Sequence, residues 1–143
     1  VDHASLSCRV CHGAGDLLLQ EVARRLKAIC RSDDTVARIG GDEFAMLVTG
    51  IRDPAELHQI AAAVVRSFSQ PFALDGPRAI IGASVGIAVA PDEGLDAKQL
   101  LDRADKALYA AKGDGRNRYR FNDPELDALR EGQGVLRLAD GTA

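Results

Sequence analysis

Two short apolar runs separated by two glycines and two acids constrain this 143-residue chain more than any other feature. In residues 38–47, RIGGDEFAML, and just before them, Val36 and Ile39 lie on one side and Phe44, Met46 and Val48 on the other, so the segment reads as two strands of a hairpin. Gly40-Gly41 can take the positive φ values of a hairpin turn, and without Cβ atoms they let a bound group come close to the backbone. Asp42 and Glu43 follow at the tip. Hard oxygen donors of this kind suit Mg²⁺, or Mn²⁺, held by one or two carboxylates together with substrate phosphates. A plain Gly-Gly hairpin carrying two solvated acids satisfies the same pattern.

Around this hairpin the periodicity predicts three helices and about five strands. From Asp16 to Cys30 the residues Leu18, Val22, Leu26 and Ile29 recur at helical spacing, with Arg24, Arg25 and Lys27 on the other side. Pro54 opens a second helix with Leu57, Ile60, Ala61, Val64 and Phe68 as its stripe, and Pro71 ends it. Strands are expected at 78–83 and 84–90 after the Asp75-Gly76-Pro77 turn. Asp96 and Gln99 have capping-box spacing ahead of Leu100, Leu101, Ala104, Leu108 and Ala111, and Gly113 is the expected C-cap. Strands and helices alternate without a glycine fingerprint of dinucleotide-binding βαβ units, which favours α+β. A short helix at 124–131 and a loose tail complete the chain, so residues 1–121 read as one domain, with 1–11 atypical, and 122–143 as a linker or flexible tail.

Composition removes several function classes. Eighteen basic residues against 21 acidic ones give a net charge of −3, so no global basic field invites nucleic acid. The longest weakly polar run, residues 79–90, is too short to span a bilayer and reads as buried strand. With no signal-like segment at its start, the chain is expected to be cytoplasmic, or a fragment of a larger, perhaps membrane-attached, signalling protein.

Four blocks taken together carry a family resemblance: HGAGDLLLQEVARRL (12–26), RSDDTVARIGGDEF (31–44), ASVGIAVAP (83–91) and ADKALYAAKGDGRNRYRF (104–121). In this order and spacing, from about His12 to Phe121, the chain resembles the GGDEF family of diguanylate cyclases. The resemblance implies a palm-like antiparallel sheet flanked by helices. It implies condensation of two GTP into cyclic di-GMP with loss of pyrophosphate. A polyanionic substrate attacked by a hydroxyl needs charge neutralisation and in-line positioning, which metal ions on phosphate oxygens provide.

By this resemblance Asp42 is a metal ligand and candidate base, Glu43 supports the metal, and Gly40 and Gly41 let the phosphates lie along the backbone. Asp16 accepts hydrogen bonds from guanine and His12 lies near the nucleotide. Read without the family, Asp16 is equally an acid at a helix N-terminus and His12 a solvated loop residue. Each domain holds one GTP, so a second copy across a two-fold axis belongs to the mechanism. Arg31 and Asp34 fall where many members carry an R-x-x-D product site, with the arginine suited to a guanine edge or phosphate and the acid to guanine donors. As a plain sequence they are a charged turn after a helix. The second arginine that members often add from the following helix has no match in Ala61–Ala63; Arg66 is nearby. A non-catalytic cyclic di-GMP receptor or a dimerisation module is the alternative function.

The front of the chain departs from the family. The pattern D-x-D-x-F-K-x-x-N-D-x-x-G-H would supply a metal-binding acid, a phosphate-facing lysine and a guanine-binding asparagine, whereas this chain has VDHASLSCRVCH. Asp2 matches the second acid of D-x-D; the Phe-Lys pair and the Asn are absent, and the first strand is expected to be truncated or altered. A shifted reading frame between Asp2-His3 and His12 would produce this break. Cys8, Cys11 and His12 also spell C-x-x-C-H, the haem attachment motif, and could join a zinc site with His3 or Cys30. Three cysteines in such a chain read more simply as free thiols.

Overall fold

The computed structural model describes residues 2–9, 16–40, 43–73, 78–90 and 96–131. Among them, β1 (Asp2–Arg9), β2 (Thr35–Gly40), β3 (Glu43–Ile51), β6 (Ser84–Ala90) and β7 (Tyr119–Phe121) form a five-stranded sheet in the order β2-β3-β1-β6-β7. Two short strands, β4 (Phe72–Ala73) and β5 (Arg78–Ala79), pair apart from it. The helices are α1 (Asp16–Ile29), α2 (Pro54–Phe68), α3 (Ala97–Gly113) and α4 (Pro124–Glu131). The α+β expectation holds. Within the five-stranded sheet three of the four ladders are antiparallel, and β7 runs parallel to β6 because α3 carries the chain back across the sheet.

The first strand is formed, with its altered sequence, and it is central. It pairs with β3 on one side and β6 on the other, placing Arg9 in register with Glu43 and with Ser84. Asp2, matched by resemblance to the second acid of D-x-D, pairs with Ile51 at the far end of the strand. Seven residues of strand at about 3.3 Å each place its backbone some 23 Å from Arg9, the residue in register with Glu43.

Alternation along β3 explains the layers. Phe44, Met46, Val48 and Ile51 are buried with Val85, Ile87, Tyr119 and Phe121 against Leu18, Val22 and Leu26 of α1 and Leu57, Ala61, Val64, Val65 and Phe68 of α2. The opposite face of β6 and β1 is covered by α3. There the helix sits close: a Cβ on Gly86 would lie 2.1 Å from the Ala104 carbonyl oxygen and 2.2 Å from the Leu108 nitrogen.

Both capping boxes form. Asp53 accepts from Ala55 N at 2.9 Å with Pro54 in the first turn of α2, and Gln99 N donates to Asp96 at 2.8 Å while Asp96 N donates to Gln99 at 3.1 Å. Helix α2 stops at Phe68, before Pro71, with Ser69 as its cap; the Ser69 backbone N–H and hydroxyl both donate to the Val65 carbonyl. Arg25 then takes the carbonyls beyond it. Its guanidinium donates to Ser67 O at 2.6 Å, Gln70 O at 3.2 Å and Pro71 O at 2.7 Å, and stacks 3.6 Å from the centre of the Phe72 ring. Arg25 is therefore part of the packing between α1 and α2, unlike its solvated neighbour Arg24.

Two local expectations change. The strand at 78–83 shrinks to Arg78–Ala79, since Gly82 adopts φ +68° and the Asn117 side chain fills the space its Cβ would need. Gly113 is the last helical residue and Asp114 the cap; the chain reverses beyond it through Gly115, Arg116 and Asn117, all at positive φ. Helix α4 lies against β7: the Asp127 carboxylate accepts from Phe121 N at 2.9 Å and from Arg120 Nε at 2.8 Å, and Leu126 packs on the core.

Candidate functional site

The hairpin closes one end of the sheet. Arg38 pairs with Phe44 and Gly40 with Glu43, leaving Ile39 as an extra residue in β2. Gly40 is therefore the last residue of β2, paired with Glu43, where a Gly40-Gly41 turn would have placed it in the loop. Phe44 is buried and pins the start of β3 to the core, while Glu43 beside it is half-buried. Gly41, Asp42 and His12 lie outside the described residues.

Between α1 and the hairpin strands is a cleft of about 360 Å³, lined by Asp16, Leu19, Gln20 and Lys27 from the helix and by Val36, Arg38 and Phe44 from the strands. The apolar groups form its floor. Asp16 begins α1, where the partial positive charge of the helix end favours a carboxylate, and its exposed side chain keeps lone pairs for an N–H donor. Lys27 and Arg38 supply positive charge to the same cleft. A flat aromatic heterocycle with donors on one edge and a nearby anion suits such a lining. The structure thus brings Asp16 to the hairpin strands that carry Gly40 and Glu43. It adds Arg38, a cation whose nearness the sequence did not reveal, and the strand pairing sets the Arg9 backbone in register with Glu43.

Arg31 and Asp34 lie elsewhere, at the opposite end of β3. Arg31 donates from Nη2 to Thr49 O at 2.6 Å, and Thr49 is six residues, about 20 Å of strand, from Glu43. Asp34 Oδ2 accepts from Arg31 N at 2.8 Å and Nε at 3.3 Å, while Oδ1 is buried without a partner. The Asp34 side chain is 0% exposed and that of Arg31 40%, so the pair is a buried acceptor beneath an accessible fork. Burial, then the nearby Asp34 charge, pushes the free Cys30 thiol up from its ordinary pKa. Cys11 lies outside the described residues, and those residues hold no cluster of three metal-ligating side chains.

Comparison with known proteins agrees with the blocks read from the sequence. The chain matches the family described as diguanylate cyclase, GGDEF domain, over residues 6–118. It is 43% identical over 122 residues to the bifunctional diguanylate cyclase/cyclic di-GMP phosphodiesterase MucR of Pseudomonas aeruginosa, covering 85% of this chain and 18% of that protein. It is 37% identical to diguanylate cyclase TpbB of the same species, covering 82% of this chain and 28% of the relative. Among solved structures, an EAL/GGDEF domain protein from M. capsulatus superposes with a TM-score of 0.78 at 36% identity, covering 86% of each chain. The GGDEF domain of TpbB superposes with a TM-score of 0.79 at 32% identity, covering 85% of this chain and 83% of that one. The chain spans less than a third of the length of these curated relatives, which are larger signalling proteins. No helix among the described residues is long and apolar enough to cross a membrane. A hairpin bearing Gly40 and Glu43, a cleft opened by Asp16, the five-stranded sheet and the match over most of the sequence together show that the chain belongs to the GGDEF domain family of diguanylate cyclases.

Proposed function

We propose that this domain binds GTP and, paired with a second copy, contributes one half of a site that forms cyclic di-GMP and pyrophosphate. The observation that carries the proposal is the cleft between α1 and the hairpin strands, with a carboxylate at the start of its helix and two cations on its lining. Guanine packs on Leu19, Val36 and Phe44 and donates its ring and amino N–H groups to Asp16, a pairing adenine cannot make. His12 lies near the nucleotide. Gly40 and Gly41 leave room for the phosphates along the backbone, and Arg38 offsets their charge.

The donor set suits a divalent cation of the Mg²⁺ or Mn²⁺ kind: Glu43 provides a half-buried hard oxygen, Asp42 would provide the second, and the phosphates would complete the shell. When bound, the ion neutralises phosphate charge as the 3′-hydroxyl of one nucleotide attacks the α-phosphorus of the other and pyrophosphate leaves. Asp42 would take the hydroxyl proton, and a two-fold arrangement of two domains would set the nucleotides face to face. Turnover by this chain is slow. The family's phosphate-facing lysine has no match between Asp2 and His12, and an electrostatic group of this kind typically changes the rate by about 10²–10³.

Binding of GTP and ATP with Mg²⁺, followed by calorimetry, tests the proposal. The chain should prefer GTP, Asp16→Ala should erase that preference, and the double variant Asp42→Ala/Glu43→Ala should lose the Mg²⁺ dependence while staying folded. Equal affinity for the two nucleotides, or Mg²⁺-dependent binding that survives the double variant, would refute the assignment. A second reading, a receptor for cyclic di-GMP, is favoured by the partnerless buried oxygen of Asp34 beside the accessible Arg31.

A further inference from the structure

The Arg31 fork already has internal partners on every nitrogen. Nε faces Asp34 Oδ2 at 3.3 Å, Nη2 donates to Thr49 O at 2.6 Å, and Nη1 lies 3.7 Å from Glu56 Oε1. The first two hold the side chain in place along its inner edge. The third occupies the arm that an incoming phosphate or guanine edge would use. Glu56 is not a casual neighbour of that arm. Its other oxygen accepts from Arg52 N at 2.9 Å and Asp53 N at 3.3 Å, the reciprocal half of the α2 capping box, so the cap aims the carboxylate at Arg31. Those backbone donors, with the Arg31 charge, hold the Glu56 carboxyl below its ordinary pKa, and it stays ionised across the neutral range.

We propose that Glu56 is an internal competitor for the Arg31 fork, a latch that weakens binding of a cyclic dinucleotide at Arg31 and Asp34. The inference rests on the receptor reading of those two residues and adds how their site is regulated. A ligand with a phosphodiester or a guanine edge must displace a carboxylate from Nη1 and then sit beside its negative charge. The Asp34 Oδ1 beneath is a buried acceptor left open for a guanine N–H. Both groups are about one-third exposed or more, which keeps the ion pair weak and the latch easy to open.

Glu56→Gln isolates the effect, because glutamine fills the same capping-box position without the charge. Calorimetric titration of the 143-residue chain with cyclic di-GMP should show Glu56→Gln binding about two- to fivefold tighter than the parent, the span an exposed ion pair allows. Its urea midpoint should be unchanged. Glu56→Ala, which also loses the cap, should bind more tightly while being less stable. Affinity in Glu56→Gln equal to or below the parent, with binding lost in Arg31→Ala, would overturn the latch and leave the site standing. Binding absent from parent and Glu56→Gln alike, or indifferent to Arg31→Ala, would overturn the site and the latch with it.

Discussion

Gly86 is where the fold tolerates least. It lies in the middle of β6 on the face that receives α3, and an added Cβ would meet three main-chain atoms: Ala104 O at 2.1 Å, Leu108 N at 2.2 Å and Leu108 Cα at 2.7 Å. Main-chain atoms of a helix cannot swing aside as a side chain can. In Gly86→Ala, α3 must therefore retreat as a body by roughly 1 Å to restore ordinary contact distances in a close-packed interior. A gap of that size forfeits about a quarter to a half of each dispersion contact around it. The buried seam formed by Ala88, Leu100, Ala104, Ala107 and Leu108 would open along its length. Overpacking of a well-packed core costs about 1–3 kcal/mol, and with no side chain available to absorb the strain we expect roughly 3–5 kcal/mol. Gly113→Ala is the matched control: it is helical, its Cβ would meet nothing within 4 Å, and it should stabilise by about 0.5 kcal/mol. Urea unfolding of both variants measures the two effects with opposite signs. A loss below about 1 kcal/mol in Gly86→Ala, with an unchanged denaturant slope, would show that α3 does not seat directly on the β6 backbone.

Two further perturbations probe how the helices are held. Arg25→Ala removes three charge-assisted hydrogen bonds to carbonyls and a stack on Phe72, and should cost about 2–3 kcal/mol; Arg25→Lys should recover less than half, since an ammonium cannot span Ser67, Gln70 and Pro71 together. Thermal unfolding would show the difference, and a lysine variant as stable as the parent would refute the clamp. His58 is buried, with Nδ1 2.9 Å from the Tyr119 hydroxyl and Nε2 without a hydrogen-bond partner, and burial holds its pKa below the ordinary 6.5 despite opposing effects of the Leu126 backbone and the Asp127 charge. The unfolded chain therefore binds the proton first as pH falls through about 6.5, so stability is full above that value and declines on acidification. Urea midpoints between pH 7.5 and 5.5 should fall less steeply for His58→Gln than for the parent; parallel profiles would exclude this histidine as a source of the slope.

Much of the architecture is local and therefore legible in sequence. The stripes of α1 and α2, the Asp96 cap, and the alternation of Phe44, Met46 and Val48 each depend on neighbours within a turn or a strand, so periodicity and capping chemistry predict them without knowledge of the rest of the chain. Spacing among the four family blocks likewise places Asp16 and Glu43 in one family pattern. What sequence could not decide is whatever depends on long-range pairing. That β1 is central, that its far end carries Asp2 away from the hairpin, and that Arg9 stands in register with Glu43 follow from a pairing between strands more than thirty residues apart, and a slip of one residue would turn each side chain to the other face. Arg25 reads as a solvated helix residue because its partners, the carbonyls of Ser67, Gln70 and Pro71, carry no side-chain signature. Glu56 was not legible as a neighbour of Arg31, because only the packing of α2 beside the end of β3 brings them together. Helix ends and strand faces are set by chemistry within a few residues; which charges meet across the fold is set by packing, and the site's electrostatics belong to the second kind.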